Sequence, residues 1–207
     1  GRARLDLDRT AEQEGRLGFD GSLDDVQGRV SLFRSLGGPG YSSHVLALQA
    51  SGGYARGPGA GPGHFLVGGA SGRAESVSGL SLFGGRSIFF PVRGYDTTAR
   101  FGRSAWSVAG EYRFPIALVH RGLGTWPLHL DRVSGVLFAD AGNAWGPELD
   151  RPGYDNPPRD PLASVGGEVL ADVLTLWSEP LRLRTGVAVP LVDGDGVRAY
   201  LRLGFAF

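Results

Sequence analysis

The segment from Val197 to Phe207 reads VRAYLRLGFAF, and it decides the fold class because apolar and polar residues alternate along it. Successive side chains of a β-strand point to opposite sides, so this alternation separates two faces of one strand. The first face carries Val197, Ala199, Leu201, Leu203, Phe205 and Phe207. The opposite face carries Arg198, Tyr200, Arg202, Gly204 and Ala206. The segment is therefore predicted to form a strand with one apolar and one polar face.

The same alternation recurs through the C-terminal half of the chain, in segments that begin near Ser104, Arg132, Ala163 and Leu181. Their polar faces carry charges of both signs, on Glu111, Arg113, Asp140, Glu168, Asp172, Arg182 and Arg184. Each segment has roughly 10 or more residues, which suits a strand tilted across a membrane better than a strand of a soluble sheet. Further strands are predicted in the N-terminal half, at residues 2–8, 28–36, 42–54 and 63–68. The chain is thus predicted to be all-β, with about eight to ten strands.

The composition excludes several other classes of protein. The chain has 35 glycines and 13 prolines, which is typical of strands joined by turns rather than of helices. Its formal net charge is zero and it has no cysteine, so neither a nucleic-acid-binding surface nor a thiolate metal site is expected. No run approaches the roughly 18 apolar residues of a membrane-spanning helix. If the chain crosses a membrane, it must do so as a barrel, because only helices and closed barrels satisfy their backbone polar groups in lipid.

Aromatic residues near the ends of the predicted strands help to distinguish two folds that share this alternation, a soluble β-sandwich and a membrane barrel. A soluble β-sandwich buries its apolar faces, whereas a membrane barrel turns them to lipid and turns its polar faces to the lumen. The aromatic residues are Trp106, Tyr112, Phe114, Trp177, Phe205 and Phe207. Because aromatic belts lie at the two interfaces of a bilayer, we expect an antiparallel transmembrane β-barrel, with the sandwich as the alternative.

Two connections between predicted strands are unusually long. Residues 69–103 and 145–161 exceed the usual length of a loop in a compact domain, which favours a functional role for them. The whole chain, residues 1–207, is predicted to be one barrel domain. The chain has no methionine and begins within a charged, alternating stretch, so we expect it to be part of a longer precursor.

A short motif in the first long loop is followed by two further motifs. The loop contains Pro91-Val92-Arg93-Gly94-Tyr95, residues 110–115 read GEYRFP, and residues 138–143 read FADAGN. Together with Phe207, this ordered set resembles the BamA/TamA superfamily of outer-membrane barrels, also called bacterial surface antigens. In that family the loop folds back into the lumen, and its Arg meets acidic residues on the strands that follow.

The resemblance implies roles for particular residues of this chain. The loop motif would be Val92, Arg93, Gly94 and Tyr95, and the lumen partners of its guanidinium would be Asp140 and Glu111. A planar guanidinium suits a carboxylate because it donates two parallel hydrogen bonds, and a glycine beside it allows a tight turn. Barrels of this family have sixteen strands, so the chain would form the C-terminal half of one. A small closed barrel of eight to ten strands is the structural alternative.

The resemblance also implies a function and a location. It implies a barrel in the bacterial outer membrane that assists the insertion or translocation of other proteins. Its partners would be outer-membrane lipids, the barrel-assembly machinery and client outer-membrane proteins. That machinery reads a C-terminal signal, which Leu201, Leu203, Phe205 and Phe207 resemble. The alternative function is a passive membrane anchor or pore for an enzyme domain upstream.

The sequence offers no catalytic, metal or cofactor site. Residues 193–196 read DGDG, which predicts a tight hairpin rather than a calcium loop because the later ligands of an EF-hand are missing. The four histidines show no ligand spacing: His44, His64, His120 and His129. There is no Gly-x-Ser-x-Gly elbow. We therefore expect no enzymatic activity, no metal and no cofactor.

Overall fold

The computed structural model describes residues 2–12, 23–37, 43–57, 64–69, 90–96, 98–122, 124, 126, 128–146, 160–175, 179–194 and 196–205. These residues form ten strands: β1 (Arg2–Glu12), β2 (Leu23–Gly37), β3 (Ser43–Arg56), β4 (Phe65–Val67), β5 (Arg100–Gly102), β6 (Ser104–Gly122), β7 (Leu128–Trp145), β8 (Leu162–Thr175), β9 (Glu179–Pro190) and β10 (Arg198–Phe205). No helix in this part of the chain has the length and hydropathy needed to cross a membrane.

Eight of the strands form one antiparallel sheet in the order β1-β2-β3-β6-β7-β8-β9-β10, and β4 and β5 form a separate two-stranded sheet. Each long strand therefore pairs with its neighbour along the chain, except where β4, β5 and the long loop separate β3 from β6. The prediction of an all-β, antiparallel fold with eight to ten strands is confirmed. Within the described residues no ladder joins the two outer strands, β1 and β10, so the eight strands do not close into a small barrel.

The two faces of the sheet have opposite chemistry. The outer face exposes apolar side chains, among them Val30, Leu32, Leu46, Leu48, Val108, Leu137, Val165, Val169, Val187, Val189 and Leu201. The inner face buries polar ones, among them Ser31, Ser51, Ser107, Asp140, Glu168 and Asp172. A soluble β-sandwich would show the reverse, because its cores are apolar and its charges face water. The arrangement matches a barrel wall with lipid outside and a polar lumen inside.

The connections divide the sheet into two ends. Few residues separate β2 from β3, β6 from β7 and β8 from β9, and these connections lie at one end of the sheet, which we call the short-turn end. The connections between β3 and β6 and between β7 and β8 leave from the other end, the long-loop end. Outer-membrane barrels have short periplasmic turns and longer extracellular loops, so this asymmetry is typical of them.

The first of the two predicted long loops needs a correction. Residues 69–103 are not a continuous loop, because Arg100–Gly102 forms β5 and pairs with Phe65–Val67 in β4. Phe90 and Val92 add isolated bridges to Val67 and Gly69, which tie the middle of the loop to the same small sheet. The second long connection lies between β7, which ends at Trp145, and β8, which begins at Leu162. Residues 70–89 and 147–159 lie outside the described residues.

Candidate functional site: a loop held against the inner face of the sheet

The segment from Phe90 to Tyr95 is buried against the sheet. Phe90 and Val92 are almost fully buried. They belong to an apolar cluster with Ala55, Phe65, Val67, Tyr95, Ala105, Ala144 and Leu162. These partners come from β3, β4, β6, β7 and β8 at the long-loop end, so the small sheet and the loop pack together across the inner face. Burial of this apolar surface holds the loop motif against the inner face of the sheet.

Arg93 lies at the centre of the site and bonds to three carboxylates. Its Nε and Nη2 donate to the two oxygens of Asp140, each at 2.7 Å, and its backbone N–H donates to Oδ2 of the same residue at 3.0 Å. Its Nη1 donates to Glu111 at 2.9 Å and to Glu168 at 3.3 Å. The parallel pair to Asp140 is the bidentate geometry in which charge-assisted hydrogen bonds are strongest.

The face of the guanidinium is also in contact, because Arg93 Cζ lies 3.7 Å from the centroid of the Phe138 ring. Such a cation–π contact contributes more when it is desolvated, and the side chain of Arg93 is only 6% exposed. The far side of the ring packs on the next strand at Gly166, where any Cβ would come within 2.4 Å of Phe138 Cζ. A glycine at position 166 therefore allows the ring to lie where it supports Arg93.

The acidic cluster has further cationic partners on the wall. Arg113 donates to Glu111 Oε2 from Nε and Nη2, at 2.8 and 2.6 Å. Arg184 Nη1 lies 3.7 Å from Glu168 Oε2, and the Tyr200 hydroxyl donates to Glu168 Oε1 at 2.7 Å. Three carboxylates are thus balanced by three guanidinium groups only when the loop is in place. Without Arg93 the wall alone would hold an excess of negative charge at low dielectric.

The surroundings of Arg93 favour the charged form of its guanidinium. Burial alone would lower the pKa of the Arg93 guanidinium, but hydrogen bonds and the negative charges of the three carboxylates outweigh burial and raise this pKa above its ordinary value. The guanidinium therefore stays charged in the folded protein.

Gly94 and Tyr95 fix the turn beside Arg93. Gly94 has φ of +89°, and a Cβ there would lie 3.0 Å from the Cβ of Ala188 on β9. The Tyr95 hydroxyl donates to the carbonyl of Ala163 at 2.7 Å and accepts from the backbone N–H of Val192 at 3.2 Å. Arg93 thus bonds to β7, and Gly94 packs against β9. Tyr95 bonds to β8 and to the connection that follows β9.

A second buried cation, Arg100, was missed by the sequence analysis. Its Nε and Nη2 donate to the carbonyl of Asp160 at 3.1 and 3.0 Å, and its Nη2 also donates to Asp193 at 2.7 Å. Nearby, Arg198 Nη1 donates to Asp96 at 2.7 Å. Arg100 therefore fastens β5 to the connections that follow β7 and β9, and Asp96 fastens the loop to the start of β10. From the sequence, Asp193 was expected only to form part of a hairpin turn. In the structure it pairs with Arg100 of β5.

The structure brings together all six residues that the sequence analysis named in the loop motif and as its partners: Val92, Arg93, Gly94, Tyr95, Glu111 and Asp140. It adds Glu168 as a third carboxylate. In the C-terminal signal, Leu201 is exposed on the outer face, and the backbone of Leu203 and Phe205 continues β10. Phe207 lies outside the described residues.

Comparison with known proteins agrees with this geometry. No curated protein matches the chain. A family model described as the Omp85 superfamily domain matches residues 8–206, which is nearly the whole chain. Members of this family act in protein insertion or translocation at the outer membrane of Gram-negative bacteria or of organelles. The match confirms the resemblance of the sequence to this type of barrel, and the chain belongs to the Omp85 superfamily.

Proposed function

We propose that this chain forms the C-terminal half of a sixteen-stranded barrel of the BamA/TamA type, with residues 1–207 as one barrel domain in the outer membrane of a Gram-negative bacterium. Its function is to assist the insertion or translocation of other proteins. Its partners are outer-membrane lipids, the barrel-assembly machinery and client outer-membrane proteins. The observation that carries the proposal is the loop held inside the wall by Arg93.

The bonding of this loop favours an active role over that of a passive anchor. A buried ion cluster gains little net stability over an apolar core of equal volume, but it does specify one position for the group it binds. Arg93 bonds to side chains from β6, β7 and β8, so three neighbouring strands define where the loop lies. A wall that only anchored another domain would not need this specificity.

The apolar outer face supports the lipid part of the proposal. Leu137, Leu201 and Leu48 are each about half exposed or more, at 55%, 65% and 47%. Exposure of so many large apolar side chains would promote aggregation in water, whereas in a bilayer the same side chains contact lipid tails. The three strands that carry the acidic cluster on their inner side also expose apolar side chains on the outer face, namely Val108 on β6, Leu137 on β7 and Val165 on β8. Membrane contact and loop binding therefore use opposite faces of the same strands.

The insertion function is tested by reconstituting the full-length protein into lipid vesicles and measuring how fast an unfolded client barrel becomes protease-resistant. Wild-type vesicles should accelerate client folding over empty vesicles, and Arg93→Ala should remove most of the gain. Arg93→Lys should restore part of it, since a lysine keeps the charge but lacks the planar fork. A wild-type protein that gives no acceleration over empty vesicles would favour the anchor or pore instead.

We also propose that Leu201, Leu203, Phe205 and Phe207 form the signal through which the assembly machinery recognises this chain. Deleting Phe207 should reduce the amount of folded protein in the outer membrane of cells severalfold. The same deletion should change refolding of the purified chain into detergent far less, because detergent refolding needs no recognition. Phe207→Tyr is the matched control, since it keeps an aromatic ring at this position. Equal losses in the two assays would reduce the role of Phe207 to packing.

A further inference from the structure

A cluster of possible metal ligands lies at the short-turn end, on the hairpin formed by β6 and β7. His120 comes from β6, and His129 and Asp131 come from β7. One ligand atom from each residue lies within 4.8 Å of the others. The sequence analysis expected no metal site because the histidines are scattered. His129 and Asp131 lie two residues apart in the sequence, and the irregular pairing of β6 with β7 brings them close to His120.

Irregular pairing on both strands creates this cluster. The β6–β7 register shifts between Leu118 and Arg121, so His120 lies outside the regular ladder, and the β7–β8 register shifts at Asp131. A bulge re-aims a side chain, and bulges occur often beside functional sites. His120 also has φ of +43°, in the left-handed region that non-glycine residues adopt rarely. This conformation and both bulges coincide at the residues that form the cluster.

The position of His129 follows from the register. His129 pairs with Leu174 on β8, and Leu174 lies two residues from Asp172, which is buried on the inner face. Paired residues of an antiparallel ladder share a face, and so do residues two apart on one strand. His129 is therefore on the inner side of the wall, at the opposite end of the strands from the apolar cluster around Val92. The ligand cluster is thus distinct from the Arg93 site.

The distances within the cluster suit a small cation. His120 Nδ1 lies 2.9 Å from Asp131 Oδ1, close to the roughly 3.0–3.4 Å that separates neighbouring ligands at bond lengths of about 2.1 Å. The His120 side chain is 62% exposed, so an ion can reach the cluster from solvent. The other oxygen of Asp131 is held by Arg132 Nε at 3.4 Å, and Arg132 is itself anchored by Asp172 at 3.2 Å. Such an outer partner orients a ligand carboxylate without using the oxygen that binds.

We propose that His120, His129 and Asp131 bind a divalent transition metal ion, with Zn²⁺ as the representative. Two imidazoles and one carboxylate form a donor set of borderline hardness, which suits zinc, copper or nickel better than magnesium or calcium. Three protein ligands leave at least one position for water, so the ion exchanges with the surroundings. Because the ligands come from both strands of one hairpin, the ion cross-links the short-turn end of β6 and β7.

The test is calorimetric titration of the full-length protein in detergent with Zn²⁺ alone. We expect saturable binding that His120→Gln, His129→Gln and Asp131→Asn each weaken by roughly tenfold or more. His44→Gln is the matched control, because His44 bonds to Tyr112 at 2.7 Å on a different pair of strands. That variant should bind as the wild type does. Binding that is absent, or that all three substitutions leave unchanged, would overturn the proposal.

A second measurement counts the ligands without requiring every variant to fold. Cu²⁺ replaces Zn²⁺ in the wild-type protein, and electron paramagnetic resonance resolves the nitrogens bound to it. The proposal predicts that two imidazole nitrogens couple to the copper, and that His44→Gln shows the same pattern. His120→Gln should leave one. A spectrum with no nitrogen coupling, or a two-nitrogen spectrum that survives His120→Gln, would contradict the assignment.

Discussion

Replacing Arg93 with alanine is expected to lower the free energy of unfolding by about 3–5 kcal/mol, as for other buried ion pairs that lose one member. The reason is that the substitution leaves buried carboxylates without their cationic partner. Asp140 and Glu168 are almost fully buried, and in the alanine variant the Asp140 carboxylate loses the two hydrogen bonds that the guanidinium donates. Urea unfolding of the barrel in lipid vesicles measures the effect, because a cooperative transition gives the free energy directly.

Arg198→Ala is the matched control for this prediction. Arg198 also pairs with a carboxylate of the loop, at 2.7 Å from Asp96, but both side chains are substantially exposed, at 42% and 77%. Exposed pairs contribute about 0–1 kcal/mol, since water screens them. A loss for Arg93→Ala as small as that for Arg198→Ala would mean that the central cluster does not hold the loop.

Replacing Gly94 with valine is expected to have the second largest effect, a loss of about 3 kcal/mol or more. Two independent terms add. A β-branched residue at φ of +89° is strained by about 1–3 kcal/mol, and its Cβ would lie 3.0 Å from the Cβ of Ala188, which adds a packing cost of about 1–3 kcal/mol. The same unfolding transition measures the loss. Because the clash is with β9, the substitution should displace the motif from the wall and with it the guanidinium of Arg93.

Gly124→Val separates these two terms. Gly124 also has a positive φ, of +60°, but no atom of the described residues lies within 4 Å of where its Cβ would be. Its substitution should therefore show the backbone term alone, about 1–3 kcal/mol. If Gly94→Val costs no more than Gly124→Val, the close approach of the motif to β9 is not part of what holds it.

The alternation of residues predicts that Asp140 and Glu111 face the lumen. Strand parity places Asp140 on the side opposite Leu137, and Glu111 on the side opposite Val108, and the structure has both carboxylates on the inner face. That the loop returns to this face came from the resemblance to a family rather than from parity. Parity cannot indicate how far a loop extends into a lumen.

Glu168 was placed on the correct face but not in the cluster, because the register between strands is not visible in one sequence. The structure pairs Glu168 with Val136, and this brings it within reach of Arg93. Close packing of rings on glycines helps to fix that register, as between Phe138 and Gly166 and between Phe114 and Gly135. Such pairs join residues that lie far apart along the chain, so strand-by-strand analysis misses them.

Contacts between loops, and clusters at bulges, were beyond prediction for different reasons. The bonds of Arg100 to Asp160 and Asp193 depend on how three connections meet at the long-loop end. The cluster at His120 depends on bulges that break the alternation on which the strand predictions rest. In both cases the sequence contains the correct residue types, but the geometry arises only from the folded wall.

The most direct test of the loop assignment is a double-mutant cycle between Arg93 and Asp140, built from Arg93→Gln, Asp140→Asn and their combination. Free energies of unfolding in lipid vesicles give the coupling. The bidentate contact predicts a coupling of about 1–3 kcal/mol. A parallel cycle between Arg93 and Asp172 is the control and should give a value near zero, because Asp172 pairs with Arg182 at 2.6 Å instead. A near-zero coupling for Arg93 and Asp140, equal to that of the control pair, would contradict the account that this ion pair holds the loop inside the barrel.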